Sequence, residues 1–222
     1  MIQSLLSKSR QTFFAILFIS CLDFANPSFS QDLTSFEQRV TEYTLENGWT
    51  FILVKRPVSP VFAFMTLVNV GSAQEGAGVT GLAHMFEHMA FKGTPHLGTK
   101  DYQSEKEALR KLENAYQNYQ EKRLNPNIAP HKIEQLFTTF KNKQKIPAQN
   151  VVKNEFGDII EREGGVALNA FTSTDITGYF YALPSNKTEL FCYLESERFF
   201  HPVFREFYEE RDVVMEERRL RT

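Results

Sequence analysis

His84-Met85-Phe86-Glu87-His88 constrains this chain more than any other stretch. It reads H-x-x-E-H, the reverse of the H-E-x-x-H metal-binding motif. On a helix, residues four apart share a face, so both imidazoles can reach one metal ion. Glu87 lies beside them, where a carboxylate can take a proton from metal-activated water. At about 100° per residue, Leu82, Met85, Phe86 and Met89 fall on one side and read as a core stripe. His84, Glu87, His88 and Phe91 fall on the other. The alternative to a metal is a pair of satisfied core histidines beside a surface glutamate. However, the helix has almost no polar residue before Lys92, so no solvated face explains three ionisable groups, and unpaired buried charge is costly. A shared metal satisfies all three, and we adopt that reading.

At 222 residues the chain is long enough for one domain with a sizeable core. Its 21 phenylalanines suit a packed interior, and a net charge of −2 gives no reason to expect nucleic acid as a partner. Lys8 and Arg10, the apolar run from Thr12 to Leu22 and the small-x-small Ser28-Phe29-Ser30 read as a secretory signal peptide over 1–30. This leaves a domain over 31–222, periplasmic or secreted, or membrane-associated where the leader stays uncleaved. Cleavage leaves Cys192 as the one cysteine, which excludes an internal disulfide and cysteine ligation. Histidine and carboxylate ligands remain.

Val40 to Leu45 and Trp49 to Val54 read as strands joined by a turn at Glu46-Asn47-Gly48. Val61 to Val70 follows as a long apolar strand, then a loop from Gly71 to Gly78 into the motif helix. Between 102 and 146, apolar residues recur at three-four spacing in a charged stretch broken by Asn125-Pro126 and Pro130. This predicts an inserted helical hairpin, read as a solvated spacer in preference to a docking element. An amphipathic helix over Val151 to Arg162, strands over Val166 to Thr172 and Thr177 to Leu183, and helices near 186–200 and 204–220 complete the chain. The order implies an α+β fold, a mostly antiparallel sheet packed with helices.

A catalytic zinc takes three protein ligands and leaves one position open. Phe207, Glu210, Val214 and Glu217 form one stripe of the last helix, and two carboxylates on an apolar stripe require partners. Salt bridges to Arg211 or Arg218 at a half-exposed helix edge would satisfy them equally well.

Three blocks then point the same way. Gly81 to Thr94, Leu168 to Ser173 and Glu210 to Glu217 resemble the signature segments of the M16 peptidases, the family of pitrilysin, insulin-degrading enzyme and mitochondrial processing peptidase. The similarity runs over about 36–222, and the hairpin insert explains the 217 − 88 = 129 positions separating His88 from Glu217. The resemblance implies one Zn2+ per chain on His84, His88 and Glu217, with Glu87 as general base and Glu210 as supporting carboxylate. It also implies that Asn169 and Ala170 lie on an edge strand that pairs with the substrate backbone. The expected activity is zinc-dependent endoproteolysis of peptides or small proteins; the alternative is a non-catalytic binding or scaffold subunit, or an inactive fragment. M16 proteins resemble a clamshell whose second half adds an Arg and a Tyr near the metal. The implied partners are therefore a peptide substrate and a second M16 half, in a C-terminal region or on another chain.

Overall fold

A computed structural model describes residues 36–56 and 58–221. The expected signal peptide lies outside them. Two compact units meet in the chain between Ser59 and Pro60.

In the first unit, β1 (Val40–Thr44) and β2 (Thr50–Val54) pair antiparallel, with Val40 opposite Val54 and Thr44 opposite Thr50. The turn falls where Asn47-Gly48 predicts it. Gly48 takes φ 87°, a left-handed conformation open to glycine without steric penalty. The Asn47 side chain accepts a hydrogen bond from the Trp49 amide at 3.1 Å.

The second unit is built on a three-stranded antiparallel sheet of order β3-β5-β4, from β3 (Val61–Val68), β4 (Val166–Thr172) and β5 (Thr177–Pro184). The α+β expectation is therefore met, with antiparallel pairing throughout. Along β3 the alternation is strict: Phe62, Phe64 and Thr66 turn inward while Met65 and Leu67 stay exposed. Central β5 has five of its eight residues buried and none exposed. Its Tyr181 and Leu183 join Leu97, Phe156, Ile160 and Leu194 in the main core.

Helix α1 is the motif helix (Leu82–Met89). Helices α2 (Tyr102–Arg123) and α3 (Pro130–Gln144) form the inserted hairpin. Asp101 caps α2 by accepting from the amides of Gln103 and Ser104 at 3.0 and 3.2 Å. Proline opens α3, where its missing N–H is harmless. Helix α4 (Glu155–Arg162) starts four residues later than expected. Val151 instead bridges to Thr99, and Asn154 takes a left-handed φ of 55° before the first turn. Helices α5 (Thr188–Phe200) and α6 (Phe207–Arg221) close the chain.

The hairpin is not a solvated spacer. Leu112 and Phe140 from its two helices bury against Tyr208 of α6. The Tyr208 hydroxyl donates to Glu113 at 2.6 Å. Below this cluster, Glu105 of α2 and Arg205, which precedes α6, form a fully buried pair joined by two bonds of 2.7 and 3.0 Å. Arg205 also donates to the carbonyls of Lys92, Thr94 and Leu97 at 2.5 to 2.9 Å. One guanidinium thus ties the segment after the motif helix, the hairpin and the entry to α6. Gly93 and Gly98 make room for it: each has positive φ, and a Cβ at either would approach Arg205 Nη1 to 2.6 Å. Charge patterning could not reveal this, because the docking residues are a minority of apolar rings and one Glu–Arg pair 100 positions apart.

A second buried network holds the sheet to α5. Glu195 accepts from Thr66 (2.7 Å), Tyr181 (3.1 Å) and Arg198 (2.7 Å). Burial pushes the Tyr181 phenol far above its ordinary range. The rings of Phe91, Phe156, Tyr179 and Phe199 surround the Arg198 guanidinium at 4.6 to 5.5 Å. Phe91, expected on the histidine side, lies past the end of α1 and turns into this core.

Candidate metal centre

The motif helix is only eight residues long, so its ends matter. Gly81 precedes it with φ 96°, and the amides of Gly81 and Ala83 donate to the Glu75 carboxylate at 2.7 and 2.8 Å. Those are orphan donors of the first turn, and a carboxylate there also favours the positive end of the helix dipole. Met85 and Met89 pack on Val214 and Phe207 of α6. The expected four-residue core stripe is narrower than it looked: Leu82 and Phe86 are 45% and 50% exposed. They border an apolar groove with Val68, Val70, Val79 and Phe204 rather than entering the core.

Packing of α1 on α6 brings the distant candidates together. His84 Nε2 lies 3.3 Å from His88 Nε2 and 3.3 Å from Glu217 Oε2. All three donor atoms fall within 4.8 Å of one another. Ligands about 2.0–2.1 Å from a tetrahedral zinc lie roughly 3.3 Å apart, so this donor set fits the ion. Two imidazoles and a carboxylate are also the donor types zinc accepts in hydrolytic sites. The rival partners for Glu210 and Glu217 are placed as well. Arg211 pairs with Asp212 at 2.9 Å and donates to Tyr116, while Arg218 donates to Thr80 Oγ1 at 2.8 Å.

Glu210 sits behind His88. Its Oε2 lies 3.0 Å from His88 Nδ1, and its Oε1 accepts from Lys92 Nζ at 2.5 Å. Lys92 also reaches Glu206 Oε2 at 3.1 Å. The hydrogen bond from His88, with Lys92 behind it, holds the Glu210 carboxyl down at about 2 despite burial. The same bond raises His88 above its ordinary 6.5, outweighing the opposite effect of burial. For Lys92, burial lowers the pKa, but the bonds to Glu210 and Glu206 more than offset it and leave it raised.

Glu87 is not among the converging donors. Its Oε2 accepts from Thr172 Oγ1 at 2.5 Å, which fixes the carboxylate against the last residue of β4. This strand ends the sheet, as an edge strand must, and it carries Asn169 and Ala170 opposite Phe180 and Tyr179. The Ala170 amide donates to the Asn169 side chain at 2.9 Å, a local partner rather than a neighbouring strand. A bulge between Val166 and Asn169, with Ala167 at φ 59°, bends the strand just before these residues. Among the described residues, His84, His88, Glu210 and Glu217 meet at the α1–α6 junction, while Glu87 turns to β4. Lys92, Glu206, Thr172 and Glu75 were not foreseen. The first two had a signal: Lys92 follows His88 by four positions, as Glu206 precedes Glu210 by four.

Residues 50–143 match the insulinase family, peptidase family M16. The chain is 29% identical over 198 residues to the zinc protease PqqE of Helicobacter pylori, covering 87% of this chain and 32% of that protein. It is 38% identical over 72 residues to an uncharacterized zinc protease of Rickettsia bellii, covering 32% of this chain and 18% of the other. Among solved structures, a protease from Helicobacter pylori superposes with a TM-score of 0.54 at 28% identity, over 82% of this chain and 31% of that one. The chain thus spans about a third or less of the relatives it matches.

Proposed function

This chain belongs to peptidase family M16, the insulinase family, and from that premise we propose that it is the metal-binding part of a zinc endopeptidase. The observation that carries the proposal is the separation of roles at one helix face. His84, His88 and Glu217 converge at zinc spacing, while Glu87 is held apart from them by Thr172. Zinc, when bound, would supply Lewis acidity to a water and to the scissile carbonyl.

The chain's own residues do the rest. Glu87 takes the proton of the attacking water and passes it to the leaving amine. Glu210 holds the Nδ1 proton of His88, so that Nε2 faces the metal. An extended peptide adds to the open edge of β4 at Asn169 and Ala170, beside the strand residue that anchors the base. The substrate class in this reading is peptides or unfolded protein, met in the periplasm or outside the cell if 1–30 is cleaved as a signal peptide, or at the membrane if it is retained. The reading includes a second M16 half that completes the substrate chamber.

The test is cleavage of a quenched-fluorescent peptide set by the zinc-loaded chain, alone and mixed with the C-terminal half of a relative. Cleavage in the mixture, lost in Glu87→Gln with zinc retained, is the expected result. Zinc retention without cleavage in either condition would favour a non-catalytic binding subunit.

A further inference from the structure

We propose that Lys92 and Glu206 are positioning residues for the metal, acting on it through Glu210 and His88; this rests on the zinc reading above. A histidine presents a lone pair at Nε2 only when Nδ1 keeps its proton, and a carboxylate accepting from Nδ1 fixes both tautomer and ring. Glu210 does this with Oε2 alone. Its second oxygen must also be held, or the carboxylate can rotate away from the imidazole.

Lys92 Nζ holds that oxygen at 2.5 Å. Lys92 is in turn fixed by Glu206 at 3.1 Å. Glu206 has little freedom: it enters α6 at φ 56°, and its carbonyl accepts from the Glu210 amide at 2.9 Å. Arg205, one residue earlier, is locked in the buried clasp with Glu105. The relay therefore runs from a rigid corner of the fold to the metal-facing imidazole. Charge points the same way. Glu206 and Glu210 stand four apart at the start of one helix, where like charges repel. A single ammonium between them cancels that repulsion and pulls both carboxylates toward the end of α1. All three side chains are about one-fifth exposed, so solvent screens the arrangement only partly.

A lysine that merely ties α1 to α6 would explain the same contacts, so the test must separate the two roles. Zinc dissociation constants would be measured by chelator competition on the full chain and on Lys92→Met, Lys92→Arg, Glu206→Gln, Glu210→Gln and Lys92→Met/Glu210→Gln. Circular dichroism would monitor folding throughout. Glu210→Gln should weaken zinc binding by about 10–100-fold, and Lys92→Met by about 10-fold. The double variant should bind no more weakly than Glu210→Gln alone, because Lys92 acts only through that carboxylate. Lys92→Arg should recover most of the loss, and Glu206→Gln should show a smaller one. Wild-type affinity in Lys92→Met, or losses that multiply in the double variant, would overturn the proposal. A wild-type chain that binds no zinc would remove the zinc reading itself, and this proposal with it.

Discussion

At the scale of single residues, the proposed site assigns protons and metal to different carboxylates. Glu210 illustrates how. Its carboxyl lies at about 2 against an ordinary 4.5, so the unfolded chain takes up this proton first as pH falls. In the metal-free chain, its stabilising effect is complete above about pH 4.5 and is lost as pH drops toward 2. His88 has the opposite sign: its contribution is full below 6.5 and is lost as pH rises through its higher folded value. Urea unfolding of the metal-free chain should therefore weaken more steeply between pH 4.5 and 2 than that of Glu210→Gln. Parallel slopes would contradict the pairing. Thr172 offers a second residue-scale prediction. Thr172→Val removes the donor to Glu87 Oε2 and should lower kcat/KM by about 10-fold or more while zinc affinity holds. Thr172→Ser should restore the rate. His84, Glu87 and His88 were legible from spacing alone, since a helix repeats every 3.6 residues. Thr172 was not, because 85 positions separate it from Glu87 and only the fold joins them.

At the scale of elements, two pieces carry the site and each makes its own prediction. Strand β4 is the sheet's edge, and an edge strand tolerates proline where a central one does not. Ala170→Pro should leave fold and zinc intact but raise KM for extended peptides, since it removes a backbone donor from the open edge. An unchanged KM would argue against strand addition there. The hairpin is the other piece. Arg205→Met leaves Glu105 buried without its counter-charge and strips donors from three carbonyls, so it should destabilise the chain by about 3–5 kcal/mol. Thermal unfolding would measure it, and a loss below about 1 kcal/mol would reduce the clasp to an incidental contact. The hairpin's existence was plain from three-four spacing and its proline breaks. Its docking was not, because the clasp pairs Glu105 with an arginine 100 positions away. The start of α4 was misplaced for a local reason: Val151 has the right apolar phase but is spent on a bridge to Thr99.

At the scale of the molecule, the candidate metal centre is a junction. Helix α1 supplies two imidazoles and the proposed base, α6 the carboxylate proposed as third ligand and the one behind His88, and β4 the threonine that holds Glu87. The antiparallel α+β architecture was readable from element order, since each strand's alternation and each helix's phase agree with it. What the order of elements could not reveal was which apolar faces meet. Leu82 and Phe86 carry the phase of a core stripe yet face a groove, because α6 meets α1 along Met85, Met89 and the two histidines rather than along Leu82 and Phe86. The central claim is that three residues hold zinc and that Glu87, beside them, does not. Metal content of the purified chain tests it most directly, by elemental analysis of wild type, Glu87→Gln and Glu217→Gln after dialysis against a trace of zinc. The account predicts one zinc per chain in wild type and in Glu87→Gln, and little in Glu217→Gln. Zinc retained in Glu217→Gln, or lost in Glu87→Gln as fully as in a ligand variant, would contradict it.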